Sequence, residues 1–193
     1  MFGLSVAAQA QKWVHEGSAA AWRTVGTGIW TAEEGGDITG RFNKDRPGPG
    51  YLLTRQTYTD FRLTLTFCIS HGGKSGVFLR EPLRKWTTEG DGRPGYSPDG
   101  GCRVLIDYQD PENPTGSICN KQKAKKLVGA EDDWNDLEII CKGASIRVSI
   151  AGQLVNRFNQ LPETPGVIGF EIPGNAPEDL VVRFRRMRIS AVS

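Results

Sequence analysis

Apolar and polar side chains alternate with a period of two along many short segments of this chain, and this pattern limits the fold more than any other feature. Between residues 60 and 70 every second side chain is apolar, and the intervening positions carry arginine, threonine or cysteine. The same alternation continues on both sides of residues 142–144, which have the composition of a turn. Because successive side chains of a strand point to opposite faces of a sheet, each segment predicts a strand with one apolar face.

About ten to a dozen short strands are predicted in this way, and no segment has helical periodicity. The 24 glycines and 11 prolines place turns between them. The apolar phase shifts between Phe184 and Met187, and one extra residue near Arg185-Arg186 would restore it, which predicts a β-bulge. The pattern indicates an antiparallel sandwich or barrel. Further strands are expected at residues 29–30, 38–42, 51–54, 76–80, 102–108, 115–119 and 167–172.

Charge and hydropathy exclude several classes of partner. The 193 residues carry a net charge of only +2, and their basic run, Lys121 to Lys126, has no interleaved aromatic side chains. We therefore expect no nucleic-acid partner, and we interpret the arginines between Arg183 and Arg188 as an outer sheet face. No apolar run approaches the 18 or so residues that a membrane helix needs, so no membrane span is expected.

The first ten residues are treated apart from the rest. They are mildly apolar and end in Ala8-Gln9-Ala10, the small-x-small pattern at which signal peptidase cuts. Residues 1–10 are either the remnant of a signal peptide or a loose terminus. We expect residues 11–193 to form one domain, because neither a linker nor a repeat divides them.

The four cysteines lack the paired spacing of a zinc site. Cys102 and Cys119 flank a predicted turn at Asp110-Pro111, where a hairpin could bring them together as a disulfide. Geometry rather than spacing decides such a pairing. The alternative is that they are buried free thiols that pack as small hydrophobic groups.

A long irregular stretch runs from Glu81 to Gly101 and interrupts the strands. It contains Trp86, Glu89 and Tyr96, a combination of aromatic and acidic side chains that suits a loop over a sugar site. Loops of this length in a compact domain are often functional. The alternative is a solvated insertion without a binding role.

Several motifs occur in an order that resembles one known family. They are Leu52-Leu53-Thr54 with Tyr58-Thr59-Asp60-Phe61, then Lys74-Ser75-Gly76-Val77-Phe78-Leu79-Arg80, Trp134-Asn135 with Glu138-Ile139, Gly166-Val167-Ile168-Gly169-Phe170, and Phe184-Arg185-Arg186-Met187-Arg188-Ile189. This ordered set resembles the 3-keto-disaccharide hydrolase domain family from about Trp30 onward. The resemblance implies a concanavalin A-like jelly roll of two curved antiparallel sheets, a carbohydrate ligand on the concave face, and a bacterial protein that is periplasmic or secreted.

The chain departs from the family at polar positions. The strand that usually reads E-x-Q-x-x-D in the family here reads Cys102-Arg103-Val104-Leu105-Ile106-Asp107. Lys74 replaces an asparagine, and Pro173 stands where the family has a histidine. The first hypothesis is therefore an enzyme that cleaves a glycosidic bond, by hydrolysis or elimination, in ordinary or 3-keto glycosides. The alternative is a non-catalytic carbohydrate-binding module on the same fold.

Candidate site residues follow from the chemistry that cleavage requires. Elimination from a 3-keto glycoside needs a base near C2 and a cation for the enolate, whereas direct hydrolysis needs two carboxylates. Asp107 and Glu171 are the catalytic candidates, since both lie on predicted strands. Arg80 is the candidate cation or sugar ligand, with a structural ion pair as its alternative. Substrate-binding side chains are expected among Trp86, Glu89, Tyr96 and Tyr108.

No cofactor is firmly indicated. Asp107, Asp110, Glu112 and Asn113 offer oxygen ligands to a divalent cation such as calcium, and so does the acidic run 131–133. Neither group matches an established calcium loop. A metal is therefore the weaker alternative to turns capped by these side chains.

Overall fold

The computed structural model describes residues 21–33, 36–82, 88–89, 93–94 and 102–192; for the pairs 88–89 and 93–94 it describes the backbone only. Strands make up the regular structure of these ranges. Their bounds are β1 Trp22–Gly26, β2 Ile29–Ala32, β3 Ile38–Arg41, β4 Gly50–Thr54, β5 Phe61–Ile69, β6 Lys74–Glu81, β7 Thr88–Glu89, β8 Arg93–Pro94, β9 Cys102–Asp107, β10 Asn135–Lys142, β11 Ser145–Ile150, β12 Gln153–Phe158, β13 Val167–Ile172 and β14 Val181–Ala191.

The strands form two large antiparallel sheets. The five-stranded sheet has the order β1-β4-β13-β6-β9, and the seven-stranded sheet has the order β12-β11-β10-β5-β14-β3-β2. Strands β7 and β8 pair with each other within the long 81–101 segment. This arrangement confirms the all-β sandwich of two antiparallel sheets that the alternation predicts. Most strand neighbours are distant in sequence, which is typical of jelly-roll connections.

The core forms where the apolar faces of the two sheets meet. Phe170 of β13 packs against Phe184 of β14 with ring centroids 4.4 Å apart, so the contact joins one sheet to the other. Trp22 packs on the other side of Phe170 at 5.7 Å. Every second residue of β5, from Phe61 to Ile69, is also buried in this core. Burial of such large side chains contributes roughly 1.5–3 kcal/mol each.

The predicted bulge in β14 is confirmed. Arg185 pairs with Thr66 of β5 and Arg188 pairs with Thr64, so two residues of β14 stand opposite the single residue between those threonines. The extra residue returns Met187 to the core. The change of apolar phase in the sequence is therefore the direct consequence of the bulge.

Residues 115–119 differ from the prediction. The sequence suggests a strand there, but the chain turns and makes only single bridges at Ile118, one to Val104 and one to Gln122. Gly116 has a φ of +91°, which the adjoining strand geometry does not accommodate. Strands β1 and β12 were not among the predicted strands, because neither has enough alternating apolar positions to be seen.

All four cysteines are free thiols. Because Val104 bridges Ile118, Cys119 stands opposite Arg103, and Cys102 therefore faces the other side of the sheet. This one-residue offset explains why the two sulfurs do not pair. Burial raises the pKa of Cys102 and that of Cys141 to about 12, as expected for thiols packed in a core.

Two further observations bear on expected partners and termini. Within the ranges that the structure covers, no helix has the length and apolarity to cross a membrane. Residues 1–10, with their signal-peptide pattern, lie outside those ranges.

Candidate functional site

The outer face of the five-stranded sheet, which points away from the core, is itself largely buried. Register places Tyr51, Leu53, Phe78 and Val167 on this face, where they form a second apolar cluster separate from the core. The rings of Tyr51 and Phe78 meet edge to face with centroids 5.9 Å apart. Charged side chains are uncommon on a sheet that is buried on both faces, and those that occur are usually paired.

An ion pair lies within this largely apolar face. Nη1 of Arg103 on β9 lies 2.8 Å from both carboxylate oxygens of Glu171 on β13, spanning the strand between them. The Arg103 side chain is 23% exposed and that of Glu171 is 8% exposed. Nη2 of Arg103 also donates to Sγ of Cys119 at 3.0 Å, and its guanidinium carbon lies 5.8 Å from the Phe78 ring centroid. We call Arg103, Glu171 and Cys119 the charged site.

A glycine in β6 makes the ion pair possible. Gly76 is the direct neighbour of Glu171 in the sheet, and the stem of Arg103 crosses over it. A Cβ on Gly76 would come within 2.9 Å of Cγ and Cδ of Arg103. Glycine within a strand often marks such a close approach, so the charged site depends on the absence of a side chain at this position.

The surroundings shift the pKa of both partners. Burial raises the pKa of the Glu171 carboxyl above its ordinary value, and the Arg103 charge opposes that rise. The carboxylate in turn raises the pKa of Arg103, despite the cost of its burial, so the guanidinium stays charged. A carboxylate of raised pKa is a stronger base, and an adjacent fixed cation can stabilise an oxyanion.

Asp107 lies at the edge of the same face. Its Oδ2 is 2.9 Å from Nζ of Lys74, the residue opposite it in the sheet. Its Oδ1 accepts hydrogen bonds from the backbone N–H groups of Gln109 and Asp110. Asp107 thus caps the turn that follows β9, the alternative role that the sequence suggested.

Arg80 has a structural position rather than a ligand-binding one. It is 1% exposed, and its guanidinium donates to the carbonyl oxygens of Thr59, Gly143 and Pro162 and to Oδ1 of Asp60. These bonds join three segments between strands, at residues 59–60, 143 and 162. The cation of the candidate site is therefore Arg103 rather than Arg80.

The structure describes only some of the predicted aromatic and loop residues. Tyr108 packs against the core, and its hydroxyl donates to the carbonyl oxygen of Val128 at 3.2 Å. Burial raises its pKa. Trp86 and Tyr96 lie outside the described residues, and of Glu89 only the backbone in β7 is described.

The acidic side chains considered for calcium cap turns and bind neighbouring groups. Oδ1 of Asp110 accepts the N–H groups of Glu112 and Asn113, and Glu131 binds His71 and Gln109. Within the described ranges, no three His, Cys, Asp or Glu side chains are grouped so that they could hold a metal ion.

Sequence reasoning named Glu171 as a candidate but did not name Arg103, its ion-pair partner in the structure. In β9 the Arg103 side chain lies on the same face as those of Leu105 and Asp107. This is the face away from the core, which Cys102 and Val104 enter. The sequence signal that could have revealed Arg103 was a charged residue on the outer face of β9, next to a strand that contains Gly76. Its pairing with Glu171 depends on the strand order β13-β6-β9, which the alternation alone does not give.

The sandwich of two antiparallel sheets defines a jelly roll of the concanavalin A-like class, and comparison with known proteins makes the assignment more specific. The chain belongs to the family of 3-keto-alpha-glucoside-1,2-lyase-like domains, whose pattern it matches over residues 9–190. This confirms the family that the motifs indicated. No curated protein matches the sequence.

Solved structures share the fold at low sequence identity. A suspected glycosyl hydrolase from Parabacteroides distasonis ATCC 8503 superimposes with a TM-score of 0.69 at 18% identity, covering 94% of this chain and 100% of its own. The carbohydrate-binding module CBM66 from Bacillus subtilis gives 0.63 at 15%, covering 89% and 96%. The Bacillus licheniformis beta-glucanase gives 0.64 at 14%, covering 95% and 98%. At these identities the likeness establishes the fold alone.

Proposed function

We propose that this carbohydrate-active domain cleaves the glycosidic bond of a 3-keto glycoside by elimination, at the outer face of the five-stranded sheet. The observation that carries the proposal is the Arg103–Glu171 pair, a carboxylate of raised pKa held 2.8 Å from a fixed guanidinium on a largely apolar face. The family description, which names a 3-keto-alpha-glucoside-1,2-lyase-like domain, supports the same class of reaction.

In the proposed reaction the ketone at C3 makes the hydrogen at C2 acidic. Glu171 takes that proton, and the electron pair of the C2–H bond moves into the enolate, whose oxygen is stabilised by Arg103. The enolate then collapses to form the C1–C2 double bond, and the C1–O bond breaks. The departing oxygen leaves with the electron pair of the C1–O bond and takes up a proton from water, which gives an unsaturated sugar and a free alcohol.

The state of Asp107 favours elimination over direct hydrolysis. Hydrolysis needs a second carboxylate that is free to act as nucleophile or base. Both oxygens of Asp107 are engaged, one by two backbone N–H groups and the other by Lys74. Strand spacing and rise also put the Cα atoms of Asp107 and Glu171 about 12 Å apart. We therefore assign Glu171 the proton transfer, and Asp107 with Lys74 a contact to the leaving group.

A second candidate function is a carbohydrate-binding module without catalysis. The commitment of Asp107 to its turn favours this candidate, because it leaves Glu171 as the one predicted catalytic carboxylate that does not cap a turn. Binding requires only a shaped surface with a few fixed polar groups, and the Arg103–Glu171 pair supplies such groups on the sheet face.

The experiment compares a nitrophenyl 3-keto-glucoside with the corresponding ordinary glucoside. Elimination predicts nitrophenol release from the 3-keto substrate only, slower release when C2 carries deuterium, and an unsaturated product by mass spectrometry. Asp107→Asn should retain most of the rate. Equal release from both substrates would refute elimination, and saturable binding without release would favour the module.

We also propose that the protein is exported, as a periplasmic or secreted protein. The Ala8-Gln9-Ala10 pattern and the carbohydrate class of the family support this location. Cell fractionation of the native host, with N-terminal sequencing of the mature chain, tests it: a chain that begins at Gln11 in the periplasm or medium is the expected result.

A further inference from the structure

A polar groove crosses the outer face of the seven-stranded sheet, on the side of the sandwich away from the charged site. It has a volume of about 410 Å³ and runs over strands β14, β5, β10 and β11. Volumes of roughly 300–1,000 Å³ are typical of small-molecule sites. We call it the bulge groove, and the side chains that matter in it are Thr64, Thr66, Asp136, Ser149, Arg186 and Arg188.

The register of the sheet arranges these side chains in two rows. In the first row Ser149, Glu138, Thr64 and Arg188 are direct neighbours on four adjacent strands. In the second row Asp136 lies opposite Thr66, whose hydroxyl donates to Oδ1 of Asp136 at 2.7 Å. One side of the groove is thus lined by hydroxyls and two carboxylates, and the other by arginines.

Arg186 reaches this groove because of the β14 bulge. It has a φ of +54°, a left-handed conformation that favours glycine, yet an arginine occupies the position. Bulges re-aim side chains and often lie beside functional sites. Consecutive residues of a regular strand point to opposite faces of the sheet. Because of the extra residue, Arg185 and Arg186 both lie on the groove side of β14.

The charged side chains near Arg186 contact other residues, so the Arg186 guanidinium is available to a ligand. Glu138 pairs with Arg62, and Arg185 stacks on Trp134 with its guanidinium carbon 3.7 Å from the ring centroid. Among the residues that the structure covers, Arg186 has no ion-pair or hydrogen-bond partner. Its guanidinium is exposed, so it can bind an oxyanion with two parallel hydrogen bonds.

We infer that the bulge groove binds an acidic saccharide, with the sugar carboxylate on Arg186 and the sugar hydroxyls on Asp136, Thr64 and Ser149. A neutral sugar would leave the arginine side unused. An inorganic oxyanion would use Arg186 but would leave the Asp136 carboxylate and the hydroxyls on the other side of the groove without a ligand partner. A uronic acid satisfies both sides of the groove, since carboxylates accept hydrogen bonds from sugar hydroxyls. This inference does not depend on catalysis at the charged site.

The test is a titration of the full chain with methyl glucuronoside and methyl glucoside, which differ only at C6. We expect the wild type to bind the glucuronoside at least tenfold more tightly, and Arg186→Asn to lose that preference. Asparagine is chosen because it tolerates a left-handed φ. The control is Arg183→Gln, an exposed arginine of the same strand outside the groove, which should keep the preference.

Location is tested in the same titration by amide chemical shifts. The amides of Thr64 and Ser149 should move on binding, and that of Glu171 should not. If Arg186→Asn does not fold, these shifts in the wild type still decide the proposal. Equal affinity for both sugars, no saturable binding, sulfate that binds as tightly as the glucuronoside, or shifts centred on Glu171 would each overturn it.

Discussion

Each outer face of the sandwich carries an arginine–glutamate pair, and the two pairs differ in their surroundings. Arg103 and Glu171 join β9 to β13 with side chains 23% and 8% exposed, whereas Arg62 and Glu138 join β5 to β10 with side chains 54% and 29% exposed. The residues are of the same types, but only the first pair lies on an apolar face. The comparison teaches that the burial of the sheet face, rather than the pair itself, determines what the pair can do.

The strands that carry the pairs have different burial patterns. In β13 every residue is buried, and so is every residue of β4, its neighbour. In β14 and β10 buried residues alternate with accessible ones. Water therefore screens the Arg62–Glu138 pair, which reduces its contribution to stability. The Arg103–Glu171 pair is partly desolvated, so its electrostatic interaction is stronger.

The largest effect is expected at the most buried arginine. Arg80→Met removes four hydrogen bonds from a side chain that is 1% exposed, leaving carbonyl oxygens without donors. The free energy of unfolding should fall by about 3–5 kcal/mol. Urea denaturation measures this, with Arg147→Met on the exposed face of β11 as a control that changes it by less than about 0.5 kcal/mol. A small loss at Arg80 would contradict its structural role.

The next prediction compares the two pairs directly. Arg103→Gln leaves the Glu171 carboxylate in an apolar setting, and unfolding should become easier by about 2–3 kcal/mol at pH 7. Arg62→Gln should cost roughly 0.2–1 kcal/mol, because that pair is exposed.

The pH dependence of Arg103→Gln has a definite sign. Burial raises the pKa of Glu171 in the folded state, and loss of Arg103 removes the group that opposes this rise. A carboxyl whose folded pKa exceeds its unfolded pKa favours folding below the unfolded pKa, and the benefit is lost as pH rises through the folded pKa. The difference in stability between wild type and Arg103→Gln should therefore be larger at pH 8 than at pH 4. A constant difference would mean that Glu171 is not the group affected.

A smaller effect is expected where a glycine supports the buried pair. Gly76→Ala places a methyl group 2.9 Å from Cγ and Cδ of Arg103, so the guanidinium must shift away from Glu171. We expect a loss of about 1–2 kcal/mol in unfolding free energy and a lower catalytic rate. Gly72→Ala is a useful control, since no atom lies within 4 Å of its Cβ and only its φ of +68° opposes the change. It should reduce stability by about 1 kcal/mol without affecting the rate.

The sequence predicts much of this fold and less of the site. Alternation located β5, β10, β11, β13 and the β14 bulge. In each of these segments the apolar side chains follow a period of two that can be read without knowing the neighbouring strands. It did not show that β4 and β13 are buried on both faces, which depends on what covers the sheet. It named Glu171 as a catalytic candidate and Arg80 as the cation, whereas the structure places Arg103 beside that carboxylate, since strand order decides which cation lies near a given carboxylate.

The most direct test of the central claim is a matched pair of glutamate variants. Nitrophenol release from a 3-keto-glucoside is followed at pH 7 for the wild type, Glu171→Gln and Glu138→Gln. Loss of the base should lower the rate at least about 100-fold in Glu171→Gln, whereas Glu138→Gln should stay within about twofold of the wild type because its carboxylate lies on the opposite sheet. Equal rates in the two variants, or no release by the wild type, would contradict the assignment of catalysis to the charged site.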